Sequence, residues 1–469
     1  MGSSKKKSKP IIENLTVTAM STTGKGIGRI NNKVVFIEKA LSGDIVDIQI
    51  IKSKKEYAEA YITNLKEKSV HRIEPVCRYF GICGGCSFLN ADYQFQLDHK
   101  ENMVIENLHR IGNLNNFNNK PIIGASQNLF YRNKMEFSFS VNPWFMPETN
   151  QVNEIKDLRT LGFHVKGRFD KILDIEKCFL QADPSNNIRN TIRDIAKVHQ
   201  LDFYNVKTNS GFIRSLFIRI TRTKEAMINI VFSSEKTEVI HQFLNDIIKQ
   251  LHEISSIYYF INPKVNESIY DLTPVHFYGE SFITENIDHI LLQVGPKSFL
   301  QTNSYQSELL YRSISEMAEI QKDDIVYDLF CGVGSIGLYV AGRAGKVIGI
   351  EAISESVTEA EINKEINGIS NISFVTGLVE KVFTPDFISE HGKAGIVILD
   401  PPRSGLHPST IETLLVTKVE KIIYVSCNPS TQARDIALLS SLYDLKTIQP
   451  VDMFPQTTHV ENIALMKIK

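Results

Sequence analysis

The chain has 469 residues, 42% of them hydrophobic and 22% charged, with a formal net charge of −1. That length exceeds what one core holds and suggests about three domains of ordinary globular composition. Near-zero charge excludes a uniformly basic nucleic-acid binder, six cysteines are too few for a disulfide framework and fit reduced thiols in a cytoplasm, and no apolar stretch reaches the roughly 20 residues of a membrane helix.

Residues 1–10 are basic and polar (Lys5, Lys6, Lys7, Lys9), without the apolar segment of a secretory signal. They read as a solvated terminus rather than a phosphate-seeking tail. Gly2 and Ser3 hint at myristoylation, but Lys6 stands where the motif needs Ser or Thr. From 11 to 67 short apolar runs at 15–18, 33–37, 44–51 and 58–65 alternate with glycines at 24, 26, 28 and 43, read as turns. So many short strands in so few residues suit a small barrel of the OB type. Lys25, Arg29, Lys33, Lys52, Lys54 and Lys55 decorate it, which suits RNA binding or mere solubility equally. A cysteine-rich stretch at 77–86 leads into an amphipathic helix at 93–111. Between about 120 and 290, strand-like runs at 135–141, 215–221 and 227–232 and a helix at 238–251 read as an α+β insert able to shape a substrate groove.

From residue 325 the rhythm becomes strand, loop, helix. Strands fall at 325–329, 347–350, 372–375, 396–399 and 422–426, with helices at 335–344, 354–367, 407–417 and 430–442. Such alternation argues for a doubly wound, mostly parallel sheet, with 463–468 as a last antiparallel edge strand.

Asp328-Leu329-Phe330-Cys331-Gly332-Val333-Gly334-Ser335-Ile336-Gly337 holds G-x-G-x-x-G between a strand and a helix, where glycines let backbone N–H groups approach a ligand. Glu351, ending the next strand, lies where ribose hydroxyls are held. An NAD enzyme would look similar. Three details favour S-adenosylmethionine: Asp328 suits a cationic amino-acid moiety better than a pyrophosphate, Asp400-Pro401-Pro402 recurs in methyltransferases, and the loop lies in the C-terminal third with a thiol nearby.

That thiol is Cys427, in Ser426-Cys427-Asn428-Pro429 at a strand end, 27 residues after Asp400. A pyrimidine C5 is a poor nucleophile. A thiolate adding at C6 makes it enolate-like, able to attack the sulfonium methyl, and a general base must then remove the C5 proton. Asn428-Pro429 cannot continue the strand, which favours the nucleophile over a buried small hydrophobe. Cys331, inside the glycine loop, reads as packing. For the base, the segment Asp452-Met453-Phe454-Pro455-Gln456-Thr457-Thr458-His459-Val460-Glu461 offers Glu461 or His459 on spacing alone.

At these residues the chain resembles the uracil-C5 RNA methyltransferase family, in its branch with an N-terminal TRAM domain and an iron–sulfur cluster. The matching pieces are Phe299-Leu300-Gln301-Thr302-Asn303, the loop 328–337, Glu351, Asp400 to Arg403, Ser426 to Pro429 and 452–461, in family order. The resemblance implies an α/β protein: a Rossmann-like class I methyltransferase domain at 296–469, an OB-type TRAM barrel at 11–67, and an α+β central domain at 68–295 whose helix 93–111 is available to pack on the catalytic domain. It implies Cys427 as nucleophile and Glu461 as base, with Gln301, Phe330, Glu351 and Asp400 on S-adenosylmethionine. Ser335 stands where some members carry asparagine, and the segment 375–379 departs from several relatives, leaving the adenine side unassigned.

Cys77-x5-Cys83-x2-Cys86 supplies three soft ligands, which spacing alone assigns to zinc or iron–sulfur equally. The resemblance implies a [4Fe-4S] cluster with Cys178 as fourth ligand, 92 residues beyond Cys86, in a structural or RNA-shaping role. The expected activity is methylation of C5 of a specific uridine in RNA. Large-subunit (23S) ribosomal RNA is the preferred target and tRNA the second, with a monomer in the cytoplasm, away from membranes. The base would leave its stack to meet Cys427, most readily in a loop. Cytosine-C5 methylation uses the same thiol chemistry, but Ser-Cys-Asn-Pro argues against it. A non-catalytic RNA-binding module is disfavoured by the intact Cys427, Glu461 and glycine loop, and a radical-SAM modifier by the lack of C-x3-C-x2-C.

Overall fold

A computed structural model describes residues 11–146 and 157–469, so the basic segment 1–10 lies outside the described residues. Contacts divide the chain into two compact units. One runs to Met103 and includes Phe454–Thr458; the other comprises Val104–Met453 and His459–Lys469.

In the first unit six strands, Ile11–Thr16, Ala19–Met20, Gly26–Ile30, Lys33–Glu38, Ile45–Ser53 and Tyr57–Glu67, form one sheet in the order first, fifth, sixth, fourth, third, second. The Val17 N–H bonds Asp44 O at 2.9 Å and the Thr18 N–H bonds Ile27 O at 2.8 Å, so one segment ties the two ends of the sheet together. The barrel closes on Leu15, Val35, Ile37, Val46 and Ile48. Gly26 and Gly28, expected as turns, lie inside a strand. A Cβ on Gly26 would come within 2.7 Å of Ala40 Cβ, and one on Gly28 within 2.9 Å of Leu15 Cδ2. Close packing across a tight barrel, not turn geometry, explains them. Helix Tyr93–Arg110 begins in this unit.

The second unit carries two large sheets. A seven-stranded sheet places Arg168–Asp174, Thr160–Val165, Lys134–Ser140, Ile213–Ile220, Ala226–Phe232, Ile254–Ile261 and Val275–Gly279 side by side. Only Ala226–Phe232 and Ile254–Ile261 pair in parallel, because helix Thr237–Gln250 makes the crossover between them. Phe137, Leu216, Ile228, Ile192, Phe243 and Ile247 share the core beneath this sheet.

The other sheet contains β1 (Ile325–Leu329), β2 (Lys346–Glu351), β3 (Ile372–Thr376), β4 (Ile396–Leu399), β5 (Lys421–Ser426), β6 (Tyr443–Val451) and β7 (Glu461–Ile468). Their order is β3-β2-β1-β4-β5-β7-β6, with the two-residue strand Asn118–Asn119 beyond β6. The first five strands pair in parallel, and β7 is antiparallel to both neighbours. The expected edge strand is therefore antiparallel but internal. Ile463, Ala464 and Met466 are buried, as a continuous apolar run in a covered strand requires. Helices Ser185–Val198 and Ser304–Ala318 and strand β6 were not anticipated. Among the described residues no helix is long and apolar enough to cross a membrane.

Candidate active site

The order of strands reverses between β1 and β4, and the crevice beyond the carboxyl ends at such a point is where open α/β sheets hold ligands. On the β1 side the chain turns sharply. Phe330, Gly332 and Gly334 have φ of 68°, 54° and 81°. The N–H groups of Phe330 and Cys331 both bond Ile350 O, at 2.9 and 3.1 Å. Glu351 then closes the turn, accepting the Gly332 N–H at 3.0 Å on Oε2 and the Ile353 N–H at 2.9 Å on Oε1. Ser335 opens helix Ser335–Ala341 and receives the Tyr311 hydroxyl at 2.9 Å.

Asp328 lies beneath this loop, fully buried. Its Oδ2 accepts the Gly337 N–H at 2.8 Å, while Oδ1 has no hydrogen-bond partner. Burial, reinforced by the charges of Asp400 and Glu351, pushes its pKa up to about 7. An orphaned buried carboxylate oxygen beside other acids is a site awaiting a cation. The sulfonium and ammonium charges of S-adenosylmethionine would meet that need, so the residues fit this cofactor.

Gln301 is positioned from another side. Its carbonyl accepts Asn133 Nδ2 at 2.9 Å, and Thr302 O accepts the Asn133 N–H at 2.8 Å. Asn303 caps helix Ser304–Ala318 and reaches Met453 O at 3.2 Å, while Gln306 reaches Asp452 O at 3.1 Å. The segment preceding the expected base is thus held by the expected cofactor motif.

On the other side of the crevice Asp400 follows β4, Cys427 follows β5 and Glu461 begins β7. The register explains why the last two meet. Ser426 pairs with Asn462 across antiparallel β5 and β7, so continuing that register brings Cys427, the residue just after β5, opposite Glu461. Gln432 fixes this junction by donating to Tyr424 O at 2.8 Å and Asn462 O at 3.0 Å. Asn428 caps the helix after Cys427, ending the strand as its sequence suggested.

The electrostatics here run uphill. Burial, then the Glu461 charge, raise the Cys427 thiol, while Arg403 pulls it down. Glu461 is 3% exposed. Burial first, then the charge of Asp400, hold it well above the usual carboxylate range, again opposed by Arg403. Burial also raises Asp400. Arg403 thus favours ionisation of both the Cys427 thiol and the Glu461 carboxyl. Its carbonyl accepts Asn428 Nδ2 at 3.0 Å and Thr431 Oγ1 at 3.2 Å, and its Nη2 lies 3.1 Å from His459 Nδ1. The sequence placed Arg403 in the Asp-Pro-Pro-Arg run but assigned it no task; two prolines that stiffen the loop before a lone arginine were the available signal. Asp328, read earlier for its fit to a cationic group, gains its orphaned oxygen and raised pKa only in three dimensions.

Cys77, Cys83 and Cys86 are half-buried in the first unit, and Cys178 is half-buried in the second. The Gly85 N–H points at Cys83 Sγ at 3.4 Å. Cys178 is clamped by Asn186, which accepts its N–H at 2.7 Å, and burial raises its thiol. Among the described residues no three His, Cys, Asp or Glu side chains converge as a metal site.

The strand order, the glycine loop, the acid ending β2 and the Asp-Pro-Pro turn define an S-adenosylmethionine-dependent methyltransferase. The TRAM domain model matches residues 12–63, and the model described as tRNA (Uracil-5-)-methyltransferase matches residues 280–469. An RNA methyltransferase of Bacteroides thetaiotaomicron is 41% identical over 454 residues, 96% of this chain and 100% of its own length. Another from Porphyromonas gingivalis is 38% identical, covering 96% of this chain and 99% of that one. The tRNA (uracil-54, C5)-methyltransferase of Pyrococcus abyssi, solved with S-adenosyl-L-homocysteine, matches with a TM-score of 0.74 at 25% identity, over 97% of this chain and 100% of that one. The chain belongs to the S-adenosylmethionine-dependent RNA (uracil-C5)-methyltransferase family.

Proposed function

We propose that this enzyme methylates C5 of a uridine through a transient bond between Cys427 Sγ and C6. The observation that supports this reading is the β5–β7 register, which ends with Ser426 opposite Asn462, together with the Glu461 charge felt by the Cys427 thiol. Cys427, as thiolate, adds to C6, and the ring electrons pass to C5 and O4. C5 then takes the methyl group from the sulfonium, releasing S-adenosylhomocysteine. Glu461 removes the C5 proton, the C5–C6 double bond re-forms, and the thiolate leaves. Arg403 lowers the cost of ionising both groups. Gln301, Phe330, Ser335, Glu351 and Asp400 are proposed to line the methyl donor, beside Asp328.

The test is a Glu461→Gln variant, which methylates but cannot eliminate. RNA should remain attached to it through a denaturing gel, and loss of activity without attached RNA would remove Glu461 from the role of base.

For the target we propose a uridine of 23S rRNA, supported by the family branch whose barrel and cysteine pattern this chain resembles. The second reading, a tRNA uridine, is favoured by the Pyrococcus abyssi likeness over nearly the whole chain. Mapping 5-methyluridine in both RNAs from a strain lacking the protein separates them. A monomer suffices for either.

We also propose that Cys77, Cys83, Cys86 and Cys178 hold a [4Fe-4S] cluster. Four thiolates form a soft donor set, and an N–H directed at sulfur, as from Gly85, accompanies such ligation. When bound, the cluster would bridge distant chain segments, and methyl transfer needs no electron from it. Iron and acid-labile sulfide should be present in protein purified without oxygen, and be lost on Cys83→Ser.

A further inference from the structure

We infer that Gln96, remote in sequence from every catalytic group, is a positioning residue for the segment that carries the base. This rests on the reading of Glu461 given above. The chain leaves the second unit after Met453 and re-enters it at His459; the five residues between belong to the first unit. Glu461 follows Gln456 by only five residues, so the chain itself joins this segment to the start of β7.

Gln456 has φ of 67°, a left-handed conformation that sterics disfavour for any residue with a Cβ. It persists only because its surroundings over-determine it. Both backbone groups of Gln456 are engaged. Its N–H donates to Gln96 Oε1 at 2.9 Å, and its carbonyl accepts the N–H groups of Ser87 and Phe88 at 2.8 and 3.1 Å. Gln96 Nε2 returns a bond to Gln456 Oε1 at 3.1 Å while also bonding Ala91 O at 3.0 Å. Gln96 itself is 1% exposed. One turn further on, the fully buried Lys100 donates to Phe454 O at 3.0 Å. Beside them Gly24 packs closely, since a Cβ there would stand 2.9 Å from Thr458 Cγ2. A buried amide that pairs reciprocally with the one strained residue of the segment is more than packing requires.

Release of this clamp lets residue 456 relax toward ordinary backbone and shifts the entry of β7. Addition by Cys427 and methyl transfer depend on β5 and the cofactor loop and proceed. Proton removal by Glu461 is the step that suffers. The test uses full-length Gln96→Leu, which keeps side-chain volume, alongside Gln456→Gly, which removes the strain while keeping the backbone bonds. Gln96→Leu should slow turnover about ten- to a hundredfold, the scale of a misplacement near 1 Å. RNA should stay attached on a denaturing gel, with affinity for S-adenosylmethionine unchanged and Gln456→Gly near wild type. Wild-type turnover in Gln96→Leu, or slow turnover with cofactor binding lost and no attached RNA, overturns the inference. Glu461→Gln, run in parallel, separates the two ideas. If it traps RNA and Gln96→Leu does not, positioning fails alone. If neither traps RNA, the covalent reading falls, and positioning is judged by rate: a tenfold drop at unchanged cofactor affinity keeps it, and the wild-type rate ends it.

Discussion

At the end of β1 the fold works with backbone: three positive-φ residues at alternate positions, paired amides and a glycine under which an aspartate fits. At the ends of β4 and β5 and the start of β7 it works with titratable side chains, three of them raised by burial and two opposed by a single arginine. The first half is set once the chain folds and needs only a ligand. The second is poised against ionisation, so its chemistry depends on a few charges that neighbours hold in balance.

The largest effect should come from the side-chain half. Cys427→Ala should lower methyl transfer by more than about 10⁴-fold, while calorimetry shows S-adenosylmethionine binding nearly intact. Equal loss of both would mean that the two halves are not separable. Next is Arg403→Ala. With its pull removed, the Cys427 thiol and the Glu461 carboxyl both titrate higher, so the ionised forms are lost earlier as pH falls. The rate should drop about a hundredfold at neutral pH and recover as pH rises, shifting the acid limb of the profile toward alkali. An unshifted limb would show that Arg403 acts otherwise.

The backbone half should respond more mildly. Gly337→Ala forces a methyl group to within 2.9 Å of Asp328 Oδ2, and should cost about 1–3 kcal/mol, read as a lower Tm. The smallest effect concerns Asp328 in the ligand-free protein. Its folded pKa, about 7, lies above the ordinary 3.8, so the folded state binds the proton more tightly than the unfolded chain. Stability is therefore lost as pH rises from about 4 toward 7. Asp328→Asn should be more stable than the parent at pH 8 and equal near pH 4, yet bind S-adenosylmethionine less well. For the parent, cofactor affinity should weaken as pH falls below about 7, where the carboxylate is neutralised.

Much of this was legible in the chain. Strands β1 and β4 have the bounds their apolar runs suggested, because both are buried on two faces and punctuated by glycine or proline. The position of β7 was not, since periodicity says nothing about which strands become neighbours. Gly26 and Gly28 misled because glycine marks both turns and close packing. Helix Ser304–Ala318 was missed for want of a sharp apolar stripe: polar Ser304, Gln306, Ser307 and Ser315 are buried along it. Arg403 was visible but mute, as its meaning depends on two raised groups that fold next to it.

The internal place of β7 bears on how the enzyme is assembled. β5 and β6 share no ladder and each waits for the same later-made neighbour, so until it inserts, a gap one strand wide, about 10 Å between its walls, divides the sheet. A chain truncated before residue 461 would retain the glycine loop, the proposed seat of the methyl donor, yet would lack Glu461, the proposed proton acceptor.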